Sequence, residues 1–275
     1  MQMQDVRAFV TGGASGLGLA VAETVIAAGG RATLADVNEA AGLAAAERLG
    51  ARARYAKVDV TSEAAVDAGV AEAVAAMGGI DLAVNCAGVG WPKRMLGKDG
   101  AMPGEFFRKV IEINLVGTLL VCKAAAAAMQ KNAPNAAGER GAIVMTASVA
   151  AFDGQIGQVA YSASKGGIVG MTLPMARELA SSGIRVVTIA PGLFLTPMMA
   201  GLPQEAQDSL GKQVPFPPRL GHPSEYAQLV RQIAENPMLN GETIRHPVRA
   251  GSPPDRNRIR HLLDAPGARR HQPSP

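Results

Sequence analysis

Charged residues are scarce. Asp, Glu, Lys and Arg make up 18% of the 275 residues against 48% hydrophobic, which excludes a disordered chain, where that balance is reversed. Cysteine is scarcer still, with Cys86 and Cys122 the only two. Two thiols cannot build a disulfide framework, and they suit a reducing compartment. No apolar run nears the roughly 20 residues a membrane span needs, because glycines and Glu23 interrupt the longest candidate. Met1 to Asp5 hold no basic stretch, apolar segment or Arg-rich amphipathic pattern, so no export or organelle signal is expected. What remains is apolar material for a sizeable core. The expectation is a soluble, cytoplasmic protein with no membrane partner.

The formal net charge is +4, but it is unevenly placed. From Arg245 to Pro275 there are seven Arg, no Lys and two acids, a balance of +5 that leaves the first 244 residues near −1. A near-neutral body with a basic end points to a small-molecule protein and not to a polyanion binder, so no nucleic-acid partner is expected.

Short apolar segments alternate with long Ala-rich ones. The strand candidates are Ala8–Thr11, Ala32–Ala35, Arg54–Val58, Leu82–Asn85, Ala142–Ala147 and Arg185–Ile189. Helical patterns lie between or after them at 17–28, 39–49, 63–77, 105–131, 158–181 and 224–235. Six strands apolar almost throughout mark a parallel sheet covered on both faces. Right-handed crossovers then predict an α/β fold, a doubly wound, Rossmann-like sheet in a single domain over residues 1–245. Gly88–Gly104 and Leu193–Pro218 read as long loops at the ligand end of the sheet. Residues 246–275, with six prolines and no sustained period, read as a poorly ordered basic tail.

Thr11-Gly12-Gly13-Ala14-Ser15-Gly16-Leu17-Gly18 joins the first strand to the first helix. Glycines at 12, 16 and 18 permit a tight turn, close approach to a pyrophosphate, and close packing of helix on strand. The helix N-terminus offers free N–H groups to the anion. Asp36 ends the second strand, where a carboxylate accepts both ribose hydroxyls of NAD and repels a 2′-phosphate. The competing reading of Asp36 is a helix cap before Asn38. Asp59-Val60 after the third strand would flank the adenine, or merely cap the strand end. Asn85-Cys86-Ala87-Gly88 leaves room for the nucleotide, or is simply a tight turn.

Tyr161 and Lys165 stand four apart on one helical face. A tyrosine titrates near 10, too high for a base at neutral pH, and an adjacent ammonium is expected to lower it. Ser148 closes the fifth strand thirteen residues before Tyr161, where its hydroxyl can hold a substrate oxygen. Asn114, inside the long helix, reads either as a solvated polar position or as a local break that admits a relay water. No metal site is expected.

These motifs, in this order and spacing, resemble the short-chain dehydrogenase/reductase family. Within it the chain is similar to the type II 3-hydroxyacyl-CoA dehydrogenases, also known as multifunctional 17-beta-hydroxysteroid dehydrogenases. The stretches are Thr146–Phe152, Ala160–Leu173, Thr188–Phe194, Gln213–Pro217 and Asn240-Gly241-Glu242. The resemblance implies that Ser15, Leu17, Asp36, Asp59, Val60 and Cys86 contact NAD, with Tyr161, Lys165, Pro191, Phe194 and Thr196. It implies that Ser148, Gln155 and Tyr161 meet the substrate, and that the protein is a homotetramer. The likeness ends after Arg245, where the family closes with Leu-Asp-Gly and this chain continues as His246-Pro247-Val248.

The expected activity is NAD-dependent interconversion of a secondary alcohol and a ketone, with 3-hydroxyacyl-CoA to 3-oxoacyl-CoA in fatty-acid oxidation leading. The alternatives are a hydroxysteroid dehydrogenase, a 3-oxoacyl-carrier-protein reductase and, without catalysis, a scaffold subunit of an RNA-processing assembly. Lys93, Arg94 and Lys98 are candidate contacts for coenzyme A phosphates, or plain solvated cations.

Overall fold

The computed structural model describes residues 1–98, 100–200 and 204–246. In chain order the first half runs β1 (Arg7–Thr11), α1 (Gly16–Ala27), β2 (Arg31–Asp36), α2 (Glu39–Leu49), β3 (Ala53–Lys57), α3 (Glu63–Met77) and β4 (Leu82–Asn85). A small hairpin follows, β5 (Leu96–Gly97) and β6 (Gly100–Ala101), then α4 (Gly104–Ile111), a π-helical turn (Glu112–Val116) and α5 (Gly117–Met129). The chain closes with β7 (Gly141–Thr146), α6 (Val159–Leu179), β8 (Ile184–Pro191), α7 (Pro197–Ala200), α8 (Gln204–Gly211), α9 (Pro223–Glu235) and β9 (Thr243–His246).

Seven parallel strands form the main sheet in the order β3-β2-β1-β4-β7-β8-β9. Register lines the apolar side chains into rows, with Leu34, Val10, Val84, Val144 and Val187 abreast. That row packs on Val21, Val25, Tyr226 and Ile233 of α1 and α9. The alternate residues Phe9, Ala83, Ile143 and Val186 face the opposite core, with Val70, Val121 and Ile168 of α3, α5 and α6. Period-two alternation feeding two cores explains why these strands are apolar throughout. Each large side chain so buried contributes about 1.5–3 kcal/mol. Strand order reverses at β1, which opens a crevice between the carboxyl ends of β1 and β4.

The structure departs from the sequence reading in four places. Six predicted strands are present, and β9 adds a seventh that includes His246, a residue assigned by sequence to the tail. Its four half-buried residues, with Arg and His among them, carry no apolar signature. Residues 247–275 lie outside the described residues. The helix expected at 105–131 is interrupted by the π-helical turn around Asn114. The two long loops hold short elements, β5–β6 in one and α7 and α8 in the other. Finally, Gly104–Met129, with a mean hydropathy of 1.7 over its most apolar window, is long and apolar enough by composition to cross a membrane, contrary to the sequence search. Its Val121, Cys122, Ala125 and Met129 are packed in the core beside β7 and α3, as suits a central helix of an α/β fold.

Candidate active site

The turn after β1 is shaped by contacts that exclude side chains. Gly12 has φ 65°, and a Cβ there would stand 2.9 Å from Ala87 N. Gly16 has φ 54°, and at Gly18 a Cβ would come within 2.3 Å of Gly12 O, the close seating of α1 on the turn. The Ser15 side chain makes no cap bond, so the first N–H groups of α1 stay open toward the crevice. Gly12→Ala combines left-handed strain with a backbone clash. The expected result is a loss of about 2–4 kcal/mol of stability, together with cofactor binding, read by thermal unfolding and nucleotide titration.

Asp36 accepts from Ala14 N (3.1 Å) through one oxygen and from Asn38 N (3.0 Å) through the other. The helix cap is Asn38 itself, whose Oδ1 accepts from Ala41 N, so Asp36 braces the Gly-rich turn and does not cap α2. Asp59 Oδ1 accepts from Thr61 N (2.9 Å) and Thr61 Oγ1 (2.8 Å), a turn that seats Val60 against Gly117. Cys86 Sγ lies 3.6 Å from Thr146 Oγ1 and 3.7 Å from Tyr226 OH, and burial pushes its thiol up.

Ser148 ends the strand–turn after β7, with Oγ accepting from Ala150 N (3.1 Å). Its side chain stands near enough to the Tyr161 hydroxyl to favour the phenolate. Lys165 is buried and donates to Thr146 O (2.7 Å), with Nζ 5.8 Å from the Tyr161 ring centroid. Asn114 is fully buried and clamps the loop after β4: Val89 N donates to its Oδ1 (2.8 Å), and its Nδ2 donates to Val89 O (2.9 Å) and Ser164 Oγ (3.0 Å). Ser164 in turn donates to Tyr161 O (2.7 Å). Thr118 Oγ1 donates to Asn114 O (2.7 Å) within the π-helical turn. Asn114 therefore joins the two segments that carry the cleft wall and the tyrosine.

The site residues expected from the sequence, all except Asn114, border one cleft of about 1070 Å³. It gathers Gly12, Ser15, Gly16, Leu17, Gly18, Asp36, Asp59, Val60, Cys86, Ala87 and Gly88 at its nucleotide half. Pro191, Phe194 and Thr196 complete the wall, and Ser148, Gln155, Tyr161 and Lys165 lie at its other half.

The short chain dehydrogenase family model matches residues 7–207. The chain belongs to the short-chain dehydrogenases. It is 53% identical over 240 residues to the 3-hydroxyacyl-CoA dehydrogenase type-2 of Homo sapiens, covering 86% of this chain and 92% of that protein. The Drosophila melanogaster protein of the same name is 53% identical over 245 residues, covering 88% and 96%. A crystal structure of 3-hydroxyacyl-CoA dehydrogenase type-2 from Mycobacterium avium superposes with a TM-score of 0.85 at 40% identity, covering 89% of this chain and 95% of that one.

In this dehydrogenase two sequence expectations need correcting, the direction of the Tyr161 shift and the place of the cleft-edge cations. Burial pushes the Tyr161 hydroxyl above its ordinary range, and the nearby Ser148 side chain only partly offsets that. The same burial pulls the Lys165 ammonium down to about 8. Its nearest acceptor is Thr146 O, so the cation does not lower Tyr161 as expected. Phe194, which borders the cleft, packs its ring against Tyr226 (6.3 Å) and His246 (5.6 Å). Lys93, Arg94 and Lys98 do not border the cleft, whereas Arg108 and Lys109 of α4 do. Sequence reading missed this pair because they look like ordinary solvated cations on a helix. It also missed Thr146, whose carbonyl holds Lys165 and whose hydroxyl meets Tyr226 (2.7 Å).

The cradle fits a dinucleotide. Positive-φ glycines, an open helix N-terminus and a carboxylate at the end of β2 occur together.

Proposed function

We propose that this short-chain dehydrogenase uses NAD to interconvert a 3-hydroxyacyl-CoA and its 3-oxoacyl-CoA. The observation that carries the cofactor choice is Asp36, which borders the cleft at the end of β2, with no Lys or Arg in the Gly-rich turn or at the two positions after Asp36. The substrate class rests on the relatives named 3-hydroxyacyl-CoA dehydrogenase type-2, over nine-tenths of whose length the chain aligns. Arg108 and Lys109 at the cleft edge supply cations for the phosphates of coenzyme A. The enzyme acts as a homotetramer.

When bound, the nicotinamide takes up or returns the hydride. Ser148 Oγ orients the substrate oxygen, and Tyr161 OH exchanges its proton. Lys165, tied to Thr146 O, holds its ammonium 5.8 Å from the Tyr161 ring centroid, where it would also meet the nucleotide. Asn114 keeps the Val89 loop and α6 in register, so the tyrosine stays over the cleft. Dry walls on both sides make these short-range contacts effective.

Initial rates test the reading. Acetoacetyl-CoA with NADH is expected to outpace both the free ketoester and NADPH, and equal efficiency with the free ketoester removes the CoA role. Asp36→Ala is expected to narrow the preference for NADH over NADPH by about tenfold or more, since it removes a 2′-phosphate repulsion worth over a kcal/mol. An unchanged ratio would put the discrimination elsewhere.

A further inference from the structure

The segment after Ser148 is held by a residue from the far edge of the sheet. Arg245 lies on β9, in register with Ala190 of β8. Its guanidinium carbon sits 3.6 Å from the Phe152 ring centroid, and Nη1 is 3.8 Å from Asp153 Oδ2. Both partners belong to the turn between Ala151 and α6, and Asp153, Gln155 and Gln158 of that turn border the cleft beside Ser148 and Tyr161.

The path of this turn is tightly set. Phe152 N and Asp153 N donate to Val149 O, at 3.0 and 2.9 Å. Gln155 N donates to Gln158 Oε1 (2.9 Å). A Cβ at Gly154 would come within 2.2 Å of Ser162 Oγ, so α6 presses on the turn from one side. Arg245 meets it from another. The guanidinium suits this place because its plane can stack on a ring while its edge faces a carboxylate, which an ammonium cannot do.

We infer that Arg245 is a positioning residue for the substrate half of the cleft. It sets the Phe152–Asp153 turn by stacking on the ring and pairing with the carboxylate. This rests on the acyl-CoA reading above.

The test uses the purified full chain with acetoacetyl-CoA and NADH. Arg245→Ala is expected to raise KM for acetoacetyl-CoA about fivefold, from the lost stack and the lost charge together. Its kcat and its KM for NADH should stay within about twofold of wild type. Arg245→Lys restores the charge without the stack and should fall between. Phe152→Leu, which leaves β9 intact, should shift the same KM in the same direction and serves if the Arg245 variants unfold. An unchanged KM for acetoacetyl-CoA in Arg245→Ala and Phe152→Leu overturns the inference, as does a parallel change in both KM values, kcat and melting temperature. Wild-type protein that fails on acetoacetyl-CoA sinks the substrate reading and this inference with it; wild-type turnover with indifferent variants sinks the inference alone.

Discussion

Tyr161→Phe is expected to lower kcat by about a thousandfold or more while nucleotide binding is retained. The variant keeps the ring that borders the cleft and removes one oxygen. General acid–base transfer by a placed group is worth about 10²–10⁴ in rate. In the structure that oxygen borders the same cleft as Ser148, whose side chain favours its ionised form. Because burial holds Tyr161 above its ordinary range, alcohol oxidation, which needs the phenolate, should accelerate as pH rises through the alkaline range. Ketone reduction, which needs the phenol, should be flat there and then fall. Stopped-flow rates in both directions, with nucleotide titration by fluorescence, check all three points. Ordinary turnover in Tyr161→Phe would remove the tyrosine from the chemistry.

Lys165→Met should lose activity by a comparable factor yet reveal a stability cost in the native residue. A buried Lys whose pKa falls from 10.5 to about 8 carries a desolvation penalty of about 3 kcal/mol. The sign follows from proton binding. Below pH 8 both folded and unfolded chains hold the proton, so the penalty is fully present. Between about 8 and 10.5 the folded state sheds its proton first, and the penalty is relieved. Wild-type stability relative to Lys165→Met should therefore rise across that interval. The methionine variant also leaves Thr146 O without its 2.7 Å donor, which offsets the gain at neutral pH by about 1–3 kcal/mol. Denaturant unfolding of both proteins at pH 7 and pH 9.5 measures the difference. A pH-independent gap would show that the amine is already neutral or well solvated. Retaining such a cation only makes sense at a functional site.

Much of this architecture was legible in one dimension. β1, β2, β4 and β7 were read within a residue or two because a strand buried on both faces must be apolar at every position. The Gly-rich turn was legible for a steric reason. At Gly12 and Gly18 nothing larger fits, so the residue type announces the geometry. The pattern of apolar residues gave no sign of β9, since four half-buried residues at a sheet edge need none; only the family resemblance implied a closing strand there. Arg108 and Lys109 escaped notice because their position at the cleft edge depends on how α4 meets the loop after β4. Asn114 was noticed as a misfit in its helix, but its clamp on Val89 is a contact between residues 25 apart.

Local spacing alone therefore committed this protein to a doubly wound sheet, a dinucleotide turn and a Tyr–Lys pair on one helical face, because each is imposed by backbone sterics or by helical period. Electrostatics came from the tertiary structure. Whether Tyr161 titrates below or above its ordinary range depends on how much water the folded walls exclude and on where the Lys165 hydrogen bond goes. Neither is a property of residue order, since burial and long-range pairing exist only once distant segments have been packed together.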